Sequence, residues 1–453
     1  MQKKLIENGY VITVDEQFRI FPDGAVYIED DKILDIGECQ ALRAKYQDAK
    51  KIDAEGMVVM PGLINTHIHS GLIRGTAEDL PLWEWLSKHV DPMHRALTAD
   101  IAYAASRLSY TESILAGTTC VMDMYRFMHR SADAAEELGI RAVLVPYVAD
   151  KAGYDYFESI EDNVRLIESH QGAANGRIQV WMGLEHMVYA TEQTYHKIAD
   201  LAARYDVGIH THGEESLEMS QLVRQKYGRS TVEVFLDRGI LGPKTVLAHC
   251  CWLTPTEIDI LAKTGTGIAH CPVSNMKLAS GVSPVVDCLE KGVKVGLGTD
   301  GIKENNNMDL FEEMKFASLL QKVHRLDATV MPAEETLKLA TIYGARTLGL
   351  GDQIGSLEPG KKADIILVTL RRPHLSPKIL GKYENIVPNL VFSANGSDVD
   401  TVLVDGKILL ENRSLQTGDE DEIIDRANLA IMELIERREP HVPDEVSINN
   451  IEV

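Results

Sequence analysis

Eight short β-rich runs recur between residues 62 and 300, and longer stretches of helical pattern lie between several of them. The runs are "GLINTHIH" (62–69), "TTCVMDMY" (118–125), "RAVLVPYV" (141–148), "IQVWMGLEH" (178–186), "VGIHTHGE" (207–214), "TVLAHCCW" (245–252), "TGIAHCPV" (266–273) and "VKVGLGTD" (293–300). Helical candidates are "TADIAYAASRLSYTESILAG" before the second run, "TEQTYHKIADLAARYD" before the fifth and "PTEIDILAKTG" before the seventh. Such alternation is the pattern of a parallel sheet with crossover helices. Eight strands of this kind predict an α/β chain closed into a TIM-like (β/α)8 barrel, whose reactive side chains belong where the strands end.

Outside that region the texture changes. Residues 1–59 read as short strands and turns in "KKLIENGYVITVD", "GAVYIEDDKILDIGE" and "AKKIDAEGMVV", and the same texture returns in "IGSLEPGKKADIILVTL" and "VDTVLVDGKILLENRSL". One small β-sandwich domain built from both chain ends is therefore expected, residues 1–59 supplying its N-terminal part and 354–415 its C-terminal part. The barrel takes 60–353. Residues 416–453 read as a helix and tail, with Ile423, Ala427, Ile431 and Leu434 near one helix face that packs on the body. The closing segment 441–453 suits ordering at a subunit contact, which leaves a homo-oligomer open.

Composition narrows the partners. A net charge of −22 repels nucleic acid and anionic membrane surfaces, so neither is expected to bind. No stretch approaches the roughly 20 apolar residues of a membrane span, and the N-terminus lacks the apolar core of a signal peptide. A cytoplasmic location is expected. The six cysteines, at 39, 120, 250, 251, 271 and 288, show no Cys-x-x-Cys spacing and read as reduced, buried small hydrophobes. That spacing also marks the zinc base deaminases that bind metal through Pro-Cys-x-x-Cys, which are excluded. Any zinc here must be held through nitrogen and oxygen.

The polar residues at the run ends are not scattered. His67 and His69 close the first run, His212 and Glu215 the fifth, His249 the sixth and Asp300 the eighth. In a strand, positions 67 and 69 face the same way about 7 Å apart, so both imidazoles can reach one cation. Histidines and a carboxylate from several strand ends form a set suited to Zn²⁺, with iron as the alternative. In the second His-x-His, His212 has a carboxylate three residues on and is assigned to the metal, with Glu215 to proton transfer. His210 sits one layer deeper and reads as a packed or supporting group.

Several motifs carry a family resemblance: "MPGLINTHIHS", "LIRGTAEDLPLWEWL", "IHTHGEES", "VLAHCCWL", "AHCPVSNMKLASG" and "VGLGTDG". The chain resembles the amidohydrolase superfamily, in its branch of methylthioadenosine/S-adenosylhomocysteine deaminases and s-triazine hydrolases. The likeness runs nearly end to end, including "KLATIYGARTLGLGDQIGSLEPGKKADIILV". It implies that His67, His69, His212 and Asp300 hold one divalent metal and that Glu215, His249 and Asp300 act on water and substrate. The fourth run has no lysine of the kind that bridges two metals in other members, so a single ion is implied. The resemblance also places His186 against the substrate heterocycle and Trp85 over it. Asn275 and Glu304 are further candidates for shaping the pocket.

Some positions depart from the deaminase pattern. His94 stands where the adenosylhomocysteine deaminases have an acidic residue for the ribose, Pro146 stands where they have an arginine for the substrate carboxylate, and Glu304 replaces a serine. These departures point to a hydrolytic deaminase releasing ammonia from a smaller aminated heterocycle, such as a purine base, pterin or triazine. The alternatives are an s-triazine hydrolase expelling chloride or alkylamine, an adenosylhomocysteine or methylthioadenosine deaminase, and a metal-free binding paralogue.

Overall fold

The structure, a computed structural model, describes residues 2–76, 78–80 and 82–444. The last nine positions of the closing segment lie outside the described residues. Near the N-terminus come strands β1 (Lys3–Ile12), β2 (Ile20–Glu29), β3 (Lys32–Glu38), β4 (Lys50–Asp53) and β5 (Met57–Pro61). The barrel follows with β6 (Leu63–Ile68), β7 (Thr118–Tyr125), β8 (Arg141–Pro146), β9 (Ile178–Val180), β10 (Met182–Gly183), β11 (Ile209–Gly213), β12 (Thr245–His249), β13 (Gly267–His270) and β14 (Lys294–Leu297). Strands β15 (Ile365–Thr369), β16 (Val399–Val404), β17 (Lys407–Glu411) and β18 (Ser414–Leu415) complete the chain.

All eight runs become barrel strands. The fourth is shared by β9 and β10, because the chain changes partner at Trp181: its N–H donates to Leu144 O, whereas the Met182 N–H donates to Gly208 O on the other side. Neighbouring barrel strands pair in parallel. Every residue of β6, β7, β8, β11 and β12 is buried. Helices cover one side of these strands and the packed barrel interior the other, which accounts for continuous apolar runs in place of alternation. The seam between β14 and β6 closes through Thr66 Oγ1 donating to Leu297 O at 2.8 Å and the Asp300 N–H donating to His67 O at 3.0 Å. Gly298 permits that approach, since a Cβ there would lie 2.9 Å from the Cβ of His67.

The anticipated helices form, two of them with the caps their sequences encode. Thr98 accepts the Ile101 N–H at the head of Ala99–Leu115, and Thr254 and Glu257 make a capping box before Pro255–Thr264. The terminal helix Glu420–Arg438 buries Ile423, Ala427 and Leu434. It is tied to the barrel by the Arg107–Glu422 ion pair and by the Arg437 guanidinium donating to Ala96 O. Among the described residues no helix is long and apolar enough to cross a membrane.

Both chain ends meet in one sheet of order β18-β17-β16-β15-β5-β1-β2-β3, with β4 beside β1. Antiparallel pairing of β15 with β5 joins the halves, Leu367 opposite Val59. The sheet curls on itself, since Val26 and Ile33 from one end share a core with Leu403 from the other. Only Gly62 separates β5 from β6, and a Cβ at that position would lie 2.2 Å from the Thr119 side chain.

A buried ionic cluster fastens sheet to barrel. Arg141, at the N-terminal end of β8, donates to both Asp364 oxygens at 3.0 and 3.1 Å and to Asp405 at 2.6 Å. All three side chains are almost inaccessible to water. Removing the cation from such a cluster leaves carboxylates uncompensated, which typically costs about 3–5 kcal/mol. Arg141→Met is expected to lower the denaturant midpoint markedly; an unchanged midpoint would show that the cluster does not hold the two parts together.

Candidate active site

The polar run ends converge at one mouth of the barrel. His67 lies within β6 and His69 just beyond it, His210 and His212 lie on β11, His249 ends β12, and Asp300 follows β14. Turning from strand to loop here requires unusual backbone: Glu214, His249, Cys250 and Asp300 have φ of 46°, 70°, 53° and 65°. Non-glycine residues in this left-handed region cost of order 1–3 kcal/mol each and persist where surrounding structure holds them. At Asp300 that hold is the hydrogen bond to His67 O across the seam.

Outer hydrogen bonds determine which nitrogen of each ring faces inward. His210 Nδ1 lies 2.9 Å from Val246 O, so it carries the proton and leaves Nε2 as an acceptor. His67 Nδ1, 2.8 Å from that Nε2, must then be the donor. His69 Nδ1 donates to Met124 O at 2.6 Å, with the Tyr147 hydroxyl 2.8 Å away. His212 Nδ1 donates to Glu185 O. Burial holds all four rings below the ordinary histidine range, so they are neutral at pH 7. The Nε2 atoms of His67, His69 and His212 therefore present bare lone pairs.

Those lone pairs face one another. His212 Nε2 lies 3.2 Å from His69 Nε2, with no proton between them to share, and His67 Nε2 is buried without a hydrogen-bond partner. Asp300 Oδ1 is 3.3 Å from His69 Nε2 and 3.5 Å from His67 Nε2. Ligand atoms about 2.0–2.2 Å from one tetrahedral Zn²⁺ are about 3.3–3.6 Å apart, so this donor set fits such an ion. A second grouping, His67, His249 and Asp300, shares the same corner.

His249 and Glu215 stand beside this set. The His249 Nδ1–H donates to Asn275 Oδ1 at 2.9 Å, and Nε2 lies 3.8 Å from Asp300 Oδ2. Burial opposes a charge on His249, yet Glu215, Asp300 and the Asn275 side chain lift its pKa above the ordinary value. Burial likewise raises Glu215, with His249 pulling back. Both line a cavity that opens from the cluster, together with His69, His212 and Asp300. The arrangement provides a cation site, a basic carboxylate and a protonatable ring around one point.

Comparison with known proteins agrees with this geometry. Residues 58–409 match the amidohydrolase family. The chain belongs to that family. It is 41% identical over 436 residues to a 5'-deoxyadenosine deaminase of Methanosarcina mazei, covering 96% of this chain and 98% of the relative. It is 39% identical over 440 residues to a 5-methylthioadenosine/S-adenosylhomocysteine deaminase of Pelotomaculum thermopropionicum, covering 96% and 100%. A crystal structure of an adenosine deaminase from Xanthomonas campestris with bound zinc superposes with a TM-score of 0.91 at 29% identity, covering 96% of this chain and 99% of the other.

Around this amidohydrolase centre the remaining candidates fall in different places. His186 lines the cavity; its Nδ1 accepts the Val188 N–H at 3.3 Å, so its protonated nitrogen is Nε2, and burial lowers its pKa to about 4. Trp85 lines the cavity and also packs with Val90. His94 is 2% exposed, held neutral by burial, with its ring 5.1 Å from Tyr147 and 5.5 Å from Phe157. Glu304 lines the wall in an ion pair with Lys303, burial lifting its carboxyl to about 7. Asn275 differs from expectation: it lies behind His249 and meets that ring, not the cavity space.

Sequence reasoning missed several groups. Asp91, Tyr147, Glu185, Tyr189 and Lys303 line the cavity, brought in by loops and two short helical segments that carry no period to read. Glu185 adjoins His186, the one local signal that could have found it. Asp123 is a support of the same kind: it accepts the Ser70 N–H and hydroxyl at 3.0 and 2.7 Å and the Tyr110 hydroxyl at 2.6 Å, anchoring the strand end that carries His69.

His210 provides a test of the tautomer scheme. His210→Phe removes the acceptor that fixes His67, and outer partners of this type are worth about 10–100-fold in metal affinity. Competition against a chelator is expected to show that loss. Wild-type affinity in the variant would mean that His67 needs no such support.

Proposed function

We propose that the chain is a zinc-dependent deaminase that releases ammonia from the adenine ring of an adenosine-type nucleoside, of the 5'-deoxyadenosine kind. The observation that carries this reading is the inward convergence of the His67, His69 and His212 lone pairs on Asp300, in a chain about 40% identical to named adenine-nucleoside deaminases over nearly its whole length. Zinc is preferred over iron because the spacing suits it and the zinc-bound Xanthomonas campestris structure shares the fold. The pterin, free base or triazine expected from the departures at positions 94, 146 and 304 gives way to the adenine nucleosides named for the relatives. Pro146, which offers no cation for a substrate carboxylate, still favours a nucleoside without an amino-acid tail.

In this reading His67, His69, His212 and Asp300 hold the ion. When bound, it would lower the pKa of the water beside it to near neutrality, making a nucleophile available at pH 7. Glu215, raised by burial and within the field of His249, takes the water proton and delivers it to a ring nitrogen of the substrate. His249, oriented by Asn275, and Asp300 direct the attacking oxygen toward the amine-bearing carbon. His186 presents its Nε2–H to an acceptor nitrogen of the ring, which its depressed pKa keeps possible without adding charge. Glu215, a carboxylate again, then takes the remaining proton from the added hydroxyl and passes it to the amine, so that the C–N bond breaks, ammonia leaves and the carbonyl forms. Trp85 closes over the heterocycle.

Zinc-loaded protein offered aminated purine nucleosides, bases, pterins and triazines is expected to release ammonia fastest from 5'-deoxyadenosine or a close relative. Chloride or alkylamine release from s-triazines, without ammonia from nucleosides, would replace this reading by triazine hydrolysis. Glu215→Gln is expected to retain zinc by elemental analysis while turnover falls by about 10²–10⁴, the usual contribution of a positioned acid–base group. Full turnover in that variant would remove Glu215 from the reaction. Asp300→Ala is expected to lose metal, and stoichiometric zinc in it would refute the ligand set.

A further inference from the structure

With the ring amine at the metal end of the cavity, a 5'-deoxyadenosine has two strong hydrogen-bonding groups left, the vicinal 2'- and 3'-hydroxyls of its ribose. Each O–H needs an acceptor once water is excluded. The wall beyond His186 offers two carboxyls that the proposed reaction does not use. Glu185 immediately precedes His186, and its backbone carbonyl takes the His212 Nδ1–H, so it stands next to both the base end and the metal set. Its Oε2 is buried with no hydrogen-bond partner. Asp91, at the start of helix Asp91–Ala96, lines the same cavity and is held there by the Tyr156 hydroxyl donating to its Oδ1 at 3.1 Å. Asp91 and Glu185 thus line one and the same cavity.

The surroundings also call for a polar ligand. His94, one turn after Asp91 and 2% exposed, lines the cavity with Nδ1 unpartnered, and Trp85, 5% exposed, also lines it with Nε1 unpartnered. Tyr189 and Phe157 line the cavity beside the acids, and Tyr154 packs behind them, with ring centroids 4.4–6.2 Å apart. They form an apolar frame that suits a sugar face and an uncharged 5'-carbon. Asp300 is committed to the metal set and Glu215 to proton transfer, and Glu304 is neutralised by its ion pair with Lys303 through Oε1, although its Oε2 has no hydrogen-bond partner.

Resting on the nucleoside reading above, we propose that Asp91 and Glu185 form the ribose subsite, their carboxyl oxygens taking the 2'- and 3'-hydroxyls and so selecting nucleosides over free bases and deoxysugars. Position 94, a neutral ring in an aromatic pocket, does not take that part; the acidic function lies one helical turn earlier, paired with an acid from the loop after β10.

The test compares 5'-deoxyadenosine with its 2',3'-dideoxy counterpart, using zinc-loaded wild type, Asp91→Asn and Glu185→Gln. The readouts are kcat/KM for ammonia release and the affinity for 5'-deoxyinosine against its dideoxy counterpart. Leaving a buried hydrogen-bonding group unsatisfied costs roughly 5–100-fold, so wild type is expected to prefer the diol by at least about 30-fold, mostly in KM and in affinity. That ratio is expected to shrink toward unity in each variant. A wild-type ratio near one, or a ratio that both variants retain, would overturn the assignment. So would a stronger preference for an adenosine bearing a 5'-alkylammonium that the variants abolish, since the acids would then serve a cation. Discrimination in binding without ammonia release would sink the deaminase reading alone, and ammonia release without discrimination would sink the ribose subsite alone.

Discussion

Three neutral imidazoles whose Nδ1–H groups are already spent on outer acceptors cannot relieve one another, because no proton remains to place between Nε2 atoms 3.2 Å apart. Lone pairs held so close repel unless a cation lies among them. Everything at the mouth of the barrel follows from keeping them there. Val246 O sets His210, His210 sets His67, Met124 O sets His69, and the Glu185 carbonyl sets His212. Asp300 adds the charge that a divalent ion needs, with its Oδ2 accepting the Ser274 hydroxyl at 2.7 Å and its Oδ1 the Gly301 N–H at 2.8 Å.

The barrel makes this arrangement affordable. Parallel strands with both faces covered present backbone carbonyls at fixed spacing, and those carbonyls are what the rings lean on. Left-handed φ at His249, Cys250 and Asp300 lets the chain turn sharply while its side chains still point into the site. The small sheet contributes at a distance: Asp364 and Asp405 clamp Arg141 at the far end of β8, away from the reactive mouth. The barrel's functional and stabilising ends are thereby separated, as the architecture favours.

Much of the site was legible in the sequence because strand ends are legible. His67, His69, His212, His249 and Asp300 each close a β-rich run, and closure of the barrel brings run ends together wherever they lie along the chain. The amphipathic terminal helix and the two β-rich flanks were readable for the same reason, since period and turn residues are local. The fourth strand was less plain, because the switch of partner at Trp181 is a property of the neighbours. Asn275 was placed in the pocket from its motif, whereas the folded chain sets it behind His249.

The loop residues that distinguish one substrate from another left no such trace. Asp91 and Glu185 are separated by more than ninety positions and come to line one cavity only because a short helix and the turn after β10 fold over the same opening. The chain's order of residues by itself determined an eight-stranded barrel with a nitrogen and oxygen metal set, since alternation and strand-end chemistry are encoded within a few neighbouring positions. Tertiary structure alone decided which nitrogen of each ring faces the ion, which acid faces the cavity and which is tied up elsewhere. Those are outcomes of hydrogen bonds and burial between distant segments, and no local pattern records them.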